Sequence, residues 1–349
     1  MEKIKLAVMG AGVIGREHCE LITGHAGTEL VGLADISNTG YQYAAGLKIP
    51  YFEDYTQMLD EAEPSCAIVA LPNTLHLPAG LACIKRGIPS MIEKPVAESI
   101  PVALKLTEAS DSTGVPVLVG HHRRHSPDIY EARRVVKDGL LGDVVAASGL
   151  WFADKPDDYF DAEWRRNPGG GPLLINLIHD IDCLRFIVGE IESVSAFTSN
   201  ARRGFEVEDT ASIAIRFENG ALGSFLISDS VASPYTWEMT SGQALYFPSQ
   251  PGDCFHFGGT KATLAVPSMT LWRHEDETKH WQDPIFPSVL PLDGSETYPN
   301  QLQHFLEVIA GNAEPIITAR DATMTLAATL AVVRAAREER TVRVAEMLG

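Results

Sequence analysis

Two stretches of this sequence join a side chain able to handle a proton to neighbours that restrict where it can point. Lys94 lies in IPSMIEKP, between Glu93 and a proline. At a strand end such an ammonium can hydrogen-bond a hydroxyl and stabilise the alkoxide that develops on its oxygen. His179 lies in GGGPLLINLIHDIDCLRFIVGE, residues 169–190, an apolar run interrupted by Asn176, His179, Asp180 and Asp182. Read as one helix, this places Asn176, His179 and either Asp182 or Cys183 on one face, with Asp180 about a quarter turn away. A purely structural reading also exists, in which His179 is a satisfied core histidine and Asp182 caps the helix or pairs with Arg185.

The elements that must position these residues begin at once. KIKLAVM alternates Ile4, Leu6 and Val8 and runs into GAGVIG, after which REHCELITGH has helical spacing. This is a strand, a glycine turn and a helix. Gly10 allows the turn, Gly12 lets the backbone approach a pyrophosphate at the helix N-terminus formed by Val13 and Ile14, and Gly15 lets helix and strand pack closely. The next strand, ELVGLAD, ends in Asp35, 20 residues after Gly15. A carboxylate there can bond both ribose hydroxyls and repels a 2′-phosphate, and the nearest basic residue following it is Lys48. NAD is therefore favoured over NADP.

The alternation continues through SCAIVALP, NTLHLPAGLACIKRG, IPSMIEKP, SIPVALKLTEASDSTG and VPVLVGHH. Such a run predicts an α/β domain with a parallel sheet covered on both faces by helices. Ligands of these sheets lie at the carboxyl ends of the strands. Those ends carry the glycine turn, Asp35, Leu71-Pro72-Asn73 with His76 starting the following helix, Glu93-Lys94-Pro95, and His121-His122.

Composition narrows the partners. With 28 Lys plus Arg against 46 Asp plus Glu, the net charge is −18, scattered along the chain. This argues against nucleic acid or an anionic membrane and for a small-molecule substrate. No apolar run approaches a membrane span and the N-terminus reads as a strand, so a cytoplasmic protein is expected. The 5 cysteines are widely spaced with no CxxC pair, consistent with reduced packing residues. The cluster His121 to His125 lacks metal-ligand spacing, and no metal is expected.

On these residues the chain resembles the Gfo/Idh/MocA oxidoreductases, the family of glucose-fructose oxidoreductase and inositol dehydrogenase. The resemblance rests on GAGVIG, on ALPNTLH followed by CIKRGIPSMIEKP, on HHRRHSP, on WRRNPGGG with HDID ten residues on, and on the closing ARDATMTLAATLAVVRAAREER. It implies a Rossmann dinucleotide-binding domain followed by an α+β domain with a large, mostly antiparallel open sheet used for homodimer or homotetramer contact. It also implies oxidation of a secondary alcohol of a sugar, cyclitol or related polyhydroxy compound, with Lys94 and His179 at the nicotinamide. Substrate contacts are expected from His122, Arg124, Trp164, Arg165, Asn176 and Asp180. Cofactor contacts are expected from Gly10, Gly12, Val13, Ile14, Gly15, Asp35, Leu71, Pro72, Asn73, His76, Glu93 and Lys94. The family has Asp four residues before the histidine, and here Ile175 stands there with Asn176 beside it. Either Asn176 replaces that acid in hydrogen bonding, or Asp180 or Asp182 compensates, or the chemistry is altered or lost. Dihydrodiol or other carbonyl/alcohol dehydrogenation and a non-catalytic NAD-binding regulator are the alternatives.

The rest of the chain independently suits that plan. Residues 143–152, 191–199, 210–218 and 221–229 show β-type alternation, and Asn219-Gly220 is a hairpin turn. The stretch 247–299, rich in Pro, Gly and acidic residues, reads as loops over the site or at a subunit contact. The domain boundary is placed at residue 122, giving domains 1–122 and 123–349, with the C-terminal helices able to pack back on the first.

Overall fold

The computed structural model describes residues 3–244, 246–275 and 280–349. Its elements are β1 (Ile4–Met9), α1 (Val13–Gly24), β2 (Thr28–Ala34), α2 (Asn38–Leu47), β3 (Tyr51–Phe52), α3 (Tyr55–Glu61), β4 (Cys66–Val69), α4 (His76–Lys85), β5 (Ser90–Ile92), α5 (Ile100–Thr113) and β6 (Val117–Val119). These are followed by α6 (Pro127–Lys137), β7 (Val144–Phe152), α7 (Ile178–Val188), β8 (Ile191–Ser199), β9 (Thr210–Phe217), β10 (Leu222–Ser228), α8 (Trp237–Thr240), β11 (Phe255–Gly259), β12 (Ala262–Val266), β13 (Thr270–Arg273), β14 (Phe286–Val289), α9 (Thr297–Ile309), α10 (Ala319–Glu338) and β15 (Val342–Arg343). The chain divides into two compact units. One holds the residues up to His122 together with Tyr298–Leu326, and the other holds Arg123–Thr297 with Ala327–Gly349.

In the first unit six strands pair in the order β3-β2-β1-β4-β5-β6, every pair parallel. Leu6, Ala7, Val8 and Met9 of β1 are all buried, as expected of a central strand with helices on both faces. The strand order reverses beside β1, and the crevice outside the carboxyl ends of β1 and β4 is where a sheet of this type binds its ligand. The segment 298–326, assigned on sequence to the second domain, belongs to this first unit. The physical reason is the apolar stripe of α9: Leu302, Phe305, Leu306 and Val308 join the core formed by Leu6, Val8, Ile22, Leu33 and Ile68.

The second unit is built on a nine-stranded sheet in the order β14-β13-β12-β11-β7-β10-β9-β8-β15. Only the β7/β10 pair among them is parallel. In β9 the alternation is complete: Ala211, Ile213, Ile215 and Phe217 are buried, while Ser212, Ala214 and Arg216 face out. The Asn219-Gly220 turn forms as the sequence implies, with Gly220 at φ 88° and the Asn219 side-chain oxygen accepting from the Ala221 amide at 3.0 Å. The other face of the sheet leaves Val145, Phe197, Leu222, Leu226 and Trp272 exposed.

Two expectations are corrected here. The stretch 247–299 is not loop throughout, because it contains β11 to β14, strands of 4 or 5 residues too short to show a period of their own. Residues 276–279 lie outside the described residues. The run before His179 is not one α-helix either: Leu173–Leu177 form a π-helical turn, and α7 begins at Ile178. Among the described residues no helix is long and apolar enough to cross a membrane.

Candidate active site

The glycine turn behaves as its sequence requires. Gly10 has φ 100°, and a side chain there would meet the Ala70 carbonyl oxygen at 2.3 Å. At Gly15 a side chain would strike the Gly10 carbonyl at 2.0 Å, whereas at Gly12 nothing lies within 4 Å. Two glycines thus serve the packing of strand and helix, and the third leaves open the approach to the start of α1. No side chain caps that helix, so its first amides point to whatever binds there. Asp35 closes the turn from the β2 side. One carboxylate oxygen accepts from the Ala11 amide at 2.7 Å and the other from the Ser37 amide at 2.7 Å and hydroxyl at 2.5 Å. Burial raises this carboxyl, but the Ser37 hydroxyl, the two amides and the Arg16 guanidinium outweigh it and hold it below the ordinary range. Arg16 is a cation missed by looking only at the residues after Asp35. It comes from α1, with Nε donating to the Ala11 carbonyl at 2.9 Å. An open Gly12, uncapped amides and an ionised acid beside them fit a dinucleotide.

Further along the same strand ends, the side chains of His76 and Glu93 hold neighbouring segments of the chain together. His76 is fully buried, with Nδ1 2.8 Å from the Pro95 carbonyl oxygen and Nε2 2.8 Å from that of Leu71. Its ring ties the loop after β4 to the loop after β5. The Glu93 carboxylate lies 3.0 Å from the His18 ring on α1 and accepts from the Lys94 amide at 3.3 Å. Burial would raise it, but the His18 hydrogen bond, helped by Lys94, holds it low. Gly120 must lack a side chain because its Cβ would meet that carboxylate at 2.8 Å. Lys94 is therefore anchored from both sides, by Glu93 and by Pro95, whose peptide bond is cis. His122 stacks on Tyr298 at 4.9 Å between ring centroids.

In the second unit the polar groups of α7 separate into two sets. Arg123 donates to Asp180 at 2.7 Å and to Glu238 at 2.6 Å, and Arg124 grips Asp182 through Nε at 2.8 Å and Nη2 at 2.7 Å. The Arg123 and Asp180 side chains are each 1% exposed. Asp180 and Asp182 are thus each engaged by an arginine, and Arg185 pairs with Glu190. His179, 6% exposed, lies in the first turn of α7, in the second unit, and Lys94 lies in the first.

The remaining candidate, Asn176 on the π-turn, accepts a hydrogen bond at 2.9 Å from Lys155, a residue the sequence did not single out. The Lys155 ammonium lies over the rings of Tyr159 at 4.8 Å and Trp151 at 5.4 Å and is 3.6 Å from Asp229. Burial draws it down to about 8 against the pull of Asp229. Arg165 stacks on the same Tyr159 ring at 3.8 Å, while Trp164 is largely exposed. The glycine run before the π-turn is explained by the chain's own backbone: a side chain at Gly170 would strike the Trp164 carbonyl at 2.2 Å.

The fold and these residues define an oxidoreductase with a dinucleotide-binding Rossmann unit. Residues 4–121 match the model of an oxidoreductase family with an NAD-binding Rossmann fold, and residues 129–265 match that of the GFO/IDH/MocA C-terminal domain. The chain is 31% identical over 247 residues to an inositol 2-dehydrogenase from Rubrobacter xylanophilus, covering 68% of each chain. It is 26% identical over 347 residues to a 1,5-anhydro-D-fructose reductase from Ensifer adhaerens, covering 94% of this chain and 95% of that one. The crystal structure of the WlbA dehydrogenase from Bordetella pertussis in complex with NADH and UDP-GlcNAcA shares the fold, with a TM-score of 0.78 at 23% identity over 98% of this chain and 99% of that one. The chain belongs to the Gfo/Idh/MocA family of oxidoreductases.

The buried carboxylates of the second unit make stability depend on pH. Burial raises Asp180 to about 7, against the opposing pull of Arg123. A carboxyl raised in the folded state contributes stability that is present in acid and is lost as pH climbs through about 7. Thermal unfolding between pH 5 and 9 should show that loss, and Asp180→Asn, which carries no titrating proton, should flatten it.

Proposed function

We propose that the protein is an NAD-dependent dehydrogenase acting on a secondary alcohol of a sugar, cyclitol or related polyhydroxy compound, in the cytoplasm. One observation supports this above the others: the chain matches an inositol dehydrogenase and an anhydrofructose reductase at 31% and 26% identity, and it has Lys94 and His179 in the motifs that carry the family resemblance. Gly10, Gly12, Val13, Ile14, Gly15, Asp35, Leu71, Pro72 and Asn73 hold the dinucleotide, which when bound supplies the hydride acceptor. Lys94 hydrogen-bonds the reacting oxygen and stabilises its growing negative charge, and His179 takes the hydroxyl proton. His122, Trp164, Arg165 and Asn176 orient the substrate. The test is turnover on a panel of sugars, cyclitols and dihydrodiols followed by NADH absorbance. Lys94→Met and His179→Asn should each lower turnover by about 10²–10⁴-fold with little change in NADH affinity. Full activity of His179→Asn on the best substrate would remove it from the mechanism.

NAD is the proposed cofactor because Asp35, held ionised at the turn, opposes a 2′-phosphate. Fluorescence titration should give tighter binding of NADH than NADPH, and Asp35→Ala should narrow the difference. Tighter NADPH binding by the parent protein would reverse the assignment, with Arg16 as the cation to examine.

A homodimer or homotetramer joined through the open face of the nine-stranded sheet is proposed as the working state. The exposed Val145, Phe197, Leu222, Leu226 and Trp272 are the support for it, since an apolar sheet face of this kind is normally covered. Light scattering at assay concentration should give a mass of two or four chains, and a strict monomer would overturn it.

A further inference from the structure

Four arginines of this chain show what the Nε/Nη2 edge of a guanidinium does here. Arg86 sets that edge on Asp60, Arg124 on Asp182, Arg134 on Glu131 and Arg185 on Glu190, each with both nitrogens at 2.6–3.0 Å from the two carboxylate oxygens. Such a fork matches a carboxylate in spacing and plane. Arg165 differs. Its Nη1 donates to the Tyr159 carbonyl at 2.6 Å and its guanidinium carbon lies over the Tyr159 ring, 3.8 Å from the centroid, two contacts that restrict the orientation of the group. Its Nε is buried and has no hydrogen-bond acceptor among the described residues.

Other cations gather around it, and two of the carboxylates that answer them, Asp154 at 3.8 Å and Asp157 at 4.0 Å from Arg203, are exposed. Lys155 shares the Tyr159 ring with Arg165, and Arg203 lies close enough to act on the Lys155 ammonium electrostatically. Asp229 is the buried anion among these cations, and Arg203 already holds it, through Nε at 3.0 Å. Lys155 reaches that carboxylate only at 3.6 Å and otherwise donates to the neutral oxygen of Asn176. Glu208, whose carboxyl is raised by burial, accepts from the Leu173 amide at 3.1 Å. What lacks an acceptor in this cluster is the buried Nε of Arg165, and a buried donor left without one is costly.

We propose that Arg165 and Lys155 form a carboxylate-binding subsite, so that the substrate is an acidic polyhydroxy compound such as an aldonate or uronate. This rests on the dehydrogenase reading above and narrows its substrate class. The carboxylate takes the Nε of Arg165, which has no acceptor among the described residues, and a further N–H of Lys155, with Tyr159 lying against both cations. Asn176 keeps Lys155 turned inward, which gives that residue a use where the family has its acid one position earlier. A flat, two-oxygen anion suits the Arg165 edge better than a tetrahedral phosphate, whose three oxygens would need donors beyond these two.

The experiment compares aldonates and uronates with the neutral sugars and polyols of the same skeleton and with the corresponding sugar phosphates, by NADH absorbance and by calorimetry in the presence of NADH. The acid should exceed its neutral counterpart in kcat/KM by at least about tenfold. Arg165→Gln should reduce that preference by about 10- to 100-fold, the size of a lost hydrogen bond to a charged group, and Arg165→Lys, which keeps charge without the fork, should fall between. Lys155→Gln should reduce the same ratio, and unchanged NADH binding checks that each variant is folded. Equal use of neutral and acidic substrates, a preference for phosphates, or a preference unchanged in both Gln variants would overturn the proposal while leaving the dehydrogenase reading intact. If no compound turns over, calorimetry separates the two ideas: binding of the acids over the neutral sugars upholds the subsite, and equal or absent binding removes it.

Discussion

Two consecutive guanidiniums, Arg123 and Arg124, are buried at the start of the second unit, and much of what surrounds them follows from the need to pair them. A charge inside a protein must meet an opposite charge with good geometry or the fold loses several kcal/mol, of the order of 3–5 for a buried pair with one partner removed. Asp180 and Asp182 on α7 answer the two arginines, and Glu238 on α8 adds a second anion to Arg123. The acids that interrupt an otherwise apolar helix are thus the price of two buried cations. They fix α7 in rotation and position, and His179 sits one residue ahead of the first of them. A helix that only packed apolar side chains could shift by a fraction of a turn at small cost, but one held by a bidentate carboxylate at 2.7 and 2.8 Å has less freedom.

How much of this was legible in the sequence depended on whether the signal was local. The strand, glycine turn and helix at the N-terminus, the four strands from residue 143 to 229 and the Asn219-Gly220 hairpin each carry their information within about ten residues, and each forms as its sequence implies. What depended on distant partners was not legible. Nothing near Asp180 or Asp182 in sequence points to arginines 57 and 58 residues away, and helical spacing alone suggested an accessible polar stripe. Arg16 escaped notice beside Asp35 because the chain brings it there from another element. Lys155 lies in a loop with no periodicity, and its meaning comes only from Asn176, Tyr159 and Asp229 around it. The strands β11 to β14 are held by neighbours in the sheet more than by their own composition.

The electrostatics of the chain also differ by scale. Its excess of acidic residues governs behaviour at long range, where it favours solubility and discourages polyanionic partners. At short range the buried charges are set one against another: Asp35 kept ionised by donors, Asp180 raised by burial, Lys155 lowered by it. Net charge therefore says little about the sign of the potential a small molecule meets once water is excluded.

The placement of α9 in the first unit bears on how the chain is made. Residues up to His122 leave the ribosome with the six-stranded sheet complete in sequence, yet the helix whose Leu302, Phe305 and Leu306 fill its core follows the whole of the second unit's sheet. The nascent sheet must wait through that interval with part of its interior uncovered, a state prone to non-native association. Completion of the dinucleotide-binding half therefore waits for α9, which follows the second unit's sheet along the chain.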